Sequence, residues 1–242
     1  MSKISVIIAA AGNSTRFGAN EKKTFAMLSG IPVWVHSTRV FVSHPEVQQI
    51  IVAISPDDEA YFTQRFQTEI DRFNVQIVLG GDQRSDSVLN ALAAVYSDTD
   101  LIAIHDGARP CIDLSLFQGV VDAAETNGAA IPAVPIASTI KRSDDDQMIA
   151  ETVDRNNLYL AQTPQVFASQ IIRDASERMA DLQPTDEAQL IETLGIPVAL
   201  APGSRFNIKI THPEDLRFAE VCLAAIAPVQ YDGELDPDQQ LR

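Results

Sequence analysis

A turn of small residues after the first apolar run has the composition of a phosphate-binding loop. Residues 9–18 read AAAGNSTRFG, with Arg16 in the turn and Lys23 seven residues further on. Small residues allow close approach of the backbone to an anion, and successive amides before a helix can bind it. The two cations suit a triphosphate. A plain strand-to-helix turn is the alternative, because neither a Walker A motif nor GxGxxG is present.

Two further motifs also follow apolar runs. Residues 79–88 read LGGDQRSDSV, where paired glycines beside short polar side chains could bind the edge of a base; a capped helix start is the alternative. Residues 105–110 read HDGARP, which places Asp106 at a predicted strand end beside Arg109. One carboxylate with substrate phosphates is a common Mg²⁺ arrangement. A buried Asp106–Arg109 ion pair is the alternative, and the strand-end position favours the metal.

The elements around these motifs alternate between apolar runs and amphipathic stretches. This pattern predicts an α/β fold with a mainly parallel, twisted sheet flanked by helices, in which ligands bind beyond the carboxyl ends of the strands. The predicted strands are residues 4–10, 49–54, 75–79, 101–105, 129–134, 197–201 and 206–210. The predicted helices are residues 32–43, 57–73, 85–96, 114–126, 169–179, 186–194 and 213–227.

One segment departs from this alternation. Residues 138–142 and 148–154 read as two strands joined by an acidic turn, which predicts a projecting hairpin within a β-arm at about 136–158. A two-stranded ribbon is marginal alone, so we expect it to pack against a partner subunit. The main domain is expected to cover residues 1–227, and the acidic segment 228–242 is expected to be a disordered tail.

The composition excludes several classes of protein. A net charge of −15 argues against binding nucleic acid or an anionic membrane, and the chain has no apolar run of the length that crosses a bilayer. Cys111 and Cys222 are far apart in sequence, which argues against a disulfide framework or a thiolate zinc site and favours a reducing cytoplasm.

The three motifs, followed in order by TVDRN (152–156), TPQ (163–165), TDEA (185–188) and NIKIT (207–211), resemble those of a known enzyme family. Over residues 5–225 the chain resembles the 2-C-methyl-D-erythritol 4-phosphate cytidylyltransferases of the non-mevalonate isoprenoid route. The resemblance implies a Rossmann-like nucleotidyltransferase domain, a homodimer formed through the β-arm, and Mg²⁺-dependent transfer of CMP from CTP to methylerythritol phosphate.

The resemblance also implies roles for particular residues. The implied catalytic residues are Arg16, Lys23 and Lys209, and the implied metal ligand is Asp106. The implied CTP-binding residues are Ala10, Ala11, Gly12, Gly81, Asp82, Ser87 and Asp106. The implied acceptor-binding residues are Gly107, Arg109, Thr139, Arg155, Thr163, Thr185 and Lys209, with Thr139 and Arg155 contributed by the partner subunit.

Three alternatives remain open at this point. A cytidylyltransferase acting on ribitol 5-phosphate or another polyol phosphate would share the CTP and metal residues. A non-catalytic nucleotide-binding module is disfavoured by the pair Arg16 and Lys23, because a mere binder has less need of cations at the reacting phosphate. A dinucleotide dehydrogenase is disfavoured by the missing GxGxxG.

Overall fold

The computed structural model describes residues 1–12, 17–18, 22–177 and 184–226. The strands there are β1 (Ile4–Ala9), β2 (Met27–Leu28), β3 (Ile31–Pro32), β4 (Val47–Ile54), β5 (Val75–Leu79), β6 (Leu101–Asp106), β7 (Ala129–Pro135), β8 (Ile140–Ser143), β9 (Ile149–Val153), β10 (Tyr159–Ala161), β11 (Gln165–Ala168) and β12 (Ala199–Pro202). The helices are α1 (Val33–Val42), α2 (Glu59–Phe73), α3 (Arg84–Ala93), α4 (Leu114–Asn127), α5 (Ser169–Ser176), α6 (Glu187–Thr193) and α7 (Asp215–Ala225).

A large mixed sheet forms the centre of the molecule. Its strand order is β10-β7-β11-β6-β1-β4-β5, and β12 also pairs with β7. The pairs β1–β4, β1–β6, β4–β5 and β12–β7 are parallel, whereas β11 and β10 run antiparallel to their neighbours. The prediction of a mainly parallel α/β sheet is therefore confirmed.

Both faces of the sheet are covered, as the continuous apolar runs predict. In β1, Val6 and Ile8 belong to one buried cluster, with residues of α1, α2 and α4, while Ile7 belongs to another, with residues of α3, α5 and α6. Successive side chains of a strand point to opposite faces, so a strand between two helix layers must be apolar at every position. All three side chains are fully buried.

Helix α2 shows how the sequence pattern produces one of these layers. Phe62, Phe66, Ile70 and Phe73 recur at helical spacing and are all buried, whereas the rest of the helix is mainly polar. The helix ends at Asn74, whose φ of +48° lies in the left-handed region that closes many helices.

Two parts of the predicted topology are wrong. Residues 206–210 do not form a strand, although Ile210 N donates to Ala108 O at 2.8 Å. The nearby carbonyls of Ser204 and Asn207 instead accept from the side chain of Gln162, so no ladder forms. Strands β10 and β11 were not predicted, because each is a short segment without a long apolar run.

The hairpin is present, with β8 and β9 paired antiparallel and joined to no other strand of the described residues. The hairpin as a whole lies inside the predicted 138–154, although β8 extends one residue past the predicted end of the first strand. The predicted tail, 228–242, lies outside the described residues. None of the described helices combines the length and the apolar character needed to cross a membrane.

A buried histidine in α1 is expected to make the stability of the fold depend on pH. His36 Nε2 donates to Leu28 O at 2.8 Å, and Nδ1 has no hydrogen-bond partner among the described residues. Burial, aided by the positive charge of Arg39, lowers the pKa of His36 to about 4. The unfolded chain therefore takes up this proton first as the pH falls below about 6.5.

The free energy of unfolding should consequently fall by about 2 kcal/mol per such histidine between pH 7.5 and pH 5. His105, whose pKa burial also lowers to about 4, should contribute a similar decline. Urea titrations of the wild type and His36→Gln at both pH values measure this, and the variant should lose roughly half of the histidine-dependent decline. Identical pH dependence in the two proteins would contradict the assignment.

Candidate functional site

A cleft of about 370 Å³ opens beyond the carboxyl ends of β1, β4, β5 and β6. The residues that line it follow these strands directly, with additions from two other segments. They are Ala9, Ala10, Ala11, Gly12, Lys23, Thr24, Ser55, Pro56, Asp57, Gly80, Gly81, Asp82, Gln83, Arg84, Ser87, Asp106, Ala108 and Lys209. The topology of a parallel sheet thus brings together motifs that are far apart in sequence.

The backbone beyond β1 and β5 forms the small-residue wall of the cleft. Ala10 N donates to Ala53 O at 2.9 Å and Gly80 N donates to Ile54 O at 2.7 Å, so both loops leave the sheet in fixed directions. Ser87 Oγ, on α3, accepts from Gly81 N at 3.2 Å. The two glycine-containing loops are therefore held side by side.

Gly80 is required for this close approach. A Cβ at this position would lie 2.8 Å from Ala11 Cβ and closer still to Ser87 Oγ. Gly80→Ala should therefore lower the free energy of unfolding by about 1–3 kcal/mol, the usual cost of overpacking, in urea denaturation.

Gly119→Ala is the matched control. Gly119 lies inside α4 and a Cβ there would meet nothing within 4 Å. Because alanine is the better helix former, this variant should be more stable by about 0.5–1 kcal/mol. Equal stability changes in the two variants would contradict the steric explanation for Gly80.

Lys23 reaches the cleft from a segment that is anchored on both sides. The preceding Lys22 forms an ion pair with Asp58. Two residues further on, Phe25 is buried and packs against Phe62, with ring centroids 5.4 Å apart. Trp34 N also donates to the carbonyl oxygen of Thr24 at 2.9 Å. The aromatic core therefore fixes the backbone that presents Lys23.

Asp106 lies at the centre of a cluster of positive charges. It ends β6, opposite Ala9 of β1 in the parallel register. Its Oδ2 is 2.9 Å from Lys209 Nζ and 3.2 Å from Arg109 Nε, and its Oδ1 is 3.6 Å from Arg84 Nε. The Asp106 residue is buried, with 6% of its surface exposed, so these contacts are only weakly screened by water.

These cations determine the charge of Asp106. Burial by itself would raise the pKa of this carboxyl, but Lys209, Arg84 and Arg109 outweigh burial and hold the pKa well below its usual range. The carboxylate is therefore ionised at neutral pH. The Asp106–Arg109 ion pair, which was the alternative to a metal site, is present in the structure, and Asp106 lines the cleft. Metal binding by Asp106 stays a prediction.

Lys209 is positioned by contacts of its neighbours. Asn207 is fully buried and its Nδ2 donates to Thr163 O at 2.9 Å, while Ile210 N bonds to Ala108 O. The residues before and after Lys209 are thus tied to the loops around Asp106. These ties place the ammonium group although the segment is not a strand.

His105 supports the Asp106 turn from behind. Its Nε2 donates to Arg109 O at 3.1 Å, which leaves Nδ1 to accept from Thr163 Oγ1, also at 3.1 Å. Thr163 Oγ1 in turn accepts from Asp106 N at 3.0 Å. With its pKa lowered to about 4 by burial, His105 is neutral at pH 7. These bonds account for both ring nitrogens as structural groups.

The donor set around Asp106 fits a magnesium ion only together with a ligand. The described parts of the chain contain no group of three His, Cys, Asp or Glu side chains able to hold a metal. Mg²⁺ is often bound by one or two carboxylates, with substrate phosphates and water completing its shell. Asp106 Oδ1 is the candidate ligand atom, since its distance from Arg84 Nε exceeds a hydrogen bond.

Arg84 is a cation of the cleft that sequence reasoning missed. It is the first residue of α3, whose N-cap is Gln83, so the helix begins one residue before the predicted start at residue 85. Burial by itself would lower the pKa of Arg84, but Glu187 and Asp106 outweigh it and raise that pKa above its ordinary value. Its position after a predicted strand, within the 79–88 motif, was the signal available in the sequence.

The remaining predicted site residues lie outside the lining of the cleft. Gly107, Arg109 and Thr163 are packed behind Asp106. Thr139 and Arg155 are exposed in or next to the hairpin, and Thr185 is exposed before α6, where its Oγ1 bonds to Gln189. Arg16 lies outside the described residues.

Two solved structures share the architecture of this chain. The Anaerococcus prevotii 4-diphosphocytidyl-2C-methyl-D-erythritol synthase has a TM-score of 0.78 and 30% identity, over 92% of this chain and 99% of that one. The Thermus thermophilus 2-C-methyl-D-erythritol 4-phosphate cytidylyltransferase has a TM-score of 0.77 and 32% identity, over 93% and 100%. The fold is that of an α/β nucleotidyltransferase.

Sequence comparison shows the family to which the chain belongs. The family model for 2-C-methyl-D-erythritol 4-phosphate cytidylyltransferase (IspD) matches residues 4–225. A Rhodopirellula baltica enzyme of that name is 43% identical over 231 residues, covering 91% of this chain and 94% of the relative. One from Pelotomaculum thermopropionicum is 39% identical, covering 93% and 96%. The chain belongs to the 2-C-methyl-D-erythritol 4-phosphate cytidylyltransferase family.

Proposed function

We propose that this protein transfers CMP from CTP to 2-C-methyl-D-erythritol 4-phosphate, giving 4-diphosphocytidyl-2-C-methyl-D-erythritol and pyrophosphate. The observation that carries the proposal is the cleft in which small-residue loops face a cluster of cations around one ionised carboxylate. Such a site can bind a nucleoside triphosphate through backbone groups and balance its negative charge.

The nucleotide occupies the wall made by the loops after β1 and β5. Backbone groups of Ala10, Ala11, Gly12, Gly81 and Asp82, with Ser87, surround the base and ribose. Gly80 supports this wall by allowing its loops to approach each other. Lys23, Arg84 and, from its position in the sequence, Arg16 bind the triphosphate.

The acceptor phosphate attacks the α-phosphorus of CTP in line with the leaving pyrophosphate. A phosphate monoester has its second pKa near ~6, so at neutral pH it is mostly a dianion and needs no general base. The attack is opposed by electrostatic repulsion between the acceptor phosphate and the triphosphate. Lys209 and Arg109, on the acceptor side of Asp106, reduce this repulsion. Gly107, Thr163 and Thr185 complete the acceptor side.

Mg²⁺ supplies neutralisation of the polyphosphate charge when it is bound, and Asp106 is the residue that holds it. The carboxylate suits this task because the surrounding cations keep it ionised. We also propose a cytoplasmic location, since two well-separated cysteines suit a reducing compartment.

The working unit is a homodimer formed through a β-arm at about 136–158 that projects from the domain of residues 1–227. Large apolar side chains are exposed along this stretch, which is the usual mark of an interface. They are Met148, Ile149 and Leu158, and the exposed Tyr159 and Leu160 follow directly in β10. Thr139 and Arg155, which are exposed on their own subunit, would then reach the partner's acceptor site.

A mixing experiment tests this sharing of sites. Lys23→Ala and Arg155→Ala should each be nearly inactive, because each removes a cation from every site. A mixed dimer has one site that carries both substitutions and one that carries neither. Random subunit exchange in an equimolar mixture should therefore restore about a quarter of wild-type activity. No recovery in a mixture that contains mixed dimers would contradict site sharing.

The chemical proposal is tested by identifying the product. CTP, methylerythritol phosphate and Mg²⁺ should yield pyrophosphate and 4-diphosphocytidyl-2-C-methyl-D-erythritol in equal amounts, measured by mass spectrometry and a coupled phosphate assay. Chelation with EDTA should stop the reaction, and added Mg²⁺ should restore it. CTP binding without any product in the presence of both Mg²⁺ and acceptor would contradict the proposal.

A further inference from the structure

Behind the wall of the cleft, Arg84 forms a buried ion pair with a residue that does not line the cleft. Arg84 Nη1 is 2.5 Å from Glu187 Oε1 and Nη2 is 2.9 Å from Glu187 Oε2, so the contact is bidentate. The Glu187 side chain is only 2% exposed, whereas that of Arg84 is 31% exposed and faces the cleft. A bidentate pair of this kind fixes the plane of the guanidinium group.

Glu187 is itself held in a rigid setting. It begins α6, whose N-cap Asp186 accepts from Gln189 N at 2.9 Å. The buried Gln165 of β11 binds this helix end twice, because its Nε2 donates to Asp186 Oδ2 and its Oε1 accepts from Ala188 N, both at 2.9 Å. The carboxylate of Glu187 is therefore fixed to the central sheet.

We propose that Glu187 is a positioning residue that holds Arg84 as a fixed cation of the nucleotide cleft. This inference rests on the proposed function, because Arg84 would act on CTP. Without Glu187, the Arg84 side chain is free to turn towards Asp106, which is already 3.6 Å away. A direct pair would draw the guanidinium away from the triphosphate and occupy the carboxylate that the reaction needs.

The test is a double-substitution cycle with two readouts, steady-state kinetics and calorimetric binding of CTP. Glu187→Gln should lower kcat/KM for CTP by about 10- to 100-fold, the cost of a misplaced group, and should weaken CTP binding. Arg84→Gln should lower both at least as much. If Glu187 acts through Arg84, the double variant should match Arg84→Gln within about threefold.

Glu192→Gln is the matched control, since Glu192 is an exposed residue of the same helix. It should keep wild-type kinetics. Wild-type kinetics in Glu187→Gln would overturn the inference, as would a double variant in which the two losses multiply. If Glu187→Gln does not fold, Glu187→Asp takes its place in the cycle: it keeps the negative charge but shortens the side chain, so it should lose the bidentate contact, and the same results support or overturn the inference.

The two proposals fail in different ways. A wild-type protein that binds CTP but releases no pyrophosphate overturns the proposed function, and the calorimetric cycle then tests Glu187 alone. A wild-type protein that is active while Glu187→Gln is unimpaired overturns only the role of Glu187. A protein that neither binds CTP nor releases pyrophosphate overturns both.

Discussion

Lys23→Ala should reduce kcat by about 10²- to 10³-fold while leaving the fold intact. The Lys23 ammonium lies in the cleft, on a segment fixed by the Lys22–Asp58 ion pair and by the buried ring of Phe25. Because the Lys23 ammonium group is already in place, it can stabilise the negative charge that builds on the α-phosphate. The Lys23 side chain does not have to move during the reaction. The substitution removes that charge but not the contacts of its neighbours.

The measurement for Lys23→Ala is pyrophosphate release at saturating CTP and acceptor, with thermal unfolding as a check on the fold. Lys3→Ala is the matched control, because Lys3 pairs with Asp98 in front of β1, at the opposite end of that strand from the cleft. The control should keep wild-type kcat. A Lys23→Ala enzyme with near-normal kcat would remove Lys23 from the mechanism.

Asp106→Asn should reduce kcat by a similar factor of about 10²–10³ for a different reason. The substitution keeps the size of the side chain and the bond from its backbone N–H to Thr163. It removes the negative charge that Lys209, Arg109 and Arg84 surround. The cations then repel one another and the proposed ligand of Mg²⁺ is weakened, so both substrates meet a disordered site.

Asp106→Asn also has an effect on pH-dependent stability that can be measured separately. Because the folded pKa of Asp106 lies below its unfolded value, its ionisation stabilises the wild type at neutral pH, and this contribution is lost as the pH falls below about 4. The variant should lack that loss in acid denaturation. Asp98→Asn, at an exposed carboxylate, is the control and should keep wild-type activity.

The core strands could be predicted because their burial on both faces is visible in the local sequence as a run of apolar residues. Strands β1, β4, β6 and most of β7 are buried on both faces and read as continuous apolar runs. Strand β11 was missed because Gln165 and its three neighbours form a run too short to recognise. The 206–210 segment has the alternation of a strand but pairs with no strand of the described residues, and pairing is not a local property.

In the candidate site too, some residues could be predicted from the local sequence and others could not. Lys23, Lys209 and Asp106 were found from motif and resemblance, and all three line one cleft. The pair Arg84–Glu187 was not found, because its members are 103 residues apart and nothing in either local sequence indicates the other. Hydrogen bonds from Gln165 of β11 to Asp186 and Ala188 hold the first turn of α6, where Glu187 meets Arg84 at the start of α3.

The central claim is the choice of acceptor together with the transfer of CMP. The most direct test is pyrophosphate release from CTP and Mg²⁺, with 2-C-methyl-D-erythritol 4-phosphate and ribitol 5-phosphate assayed side by side. Release with the first acceptor and none with the second is the predicted result. Release with ribitol 5-phosphate alone, or with neither acceptor in a folded protein that binds CTP, would contradict the account.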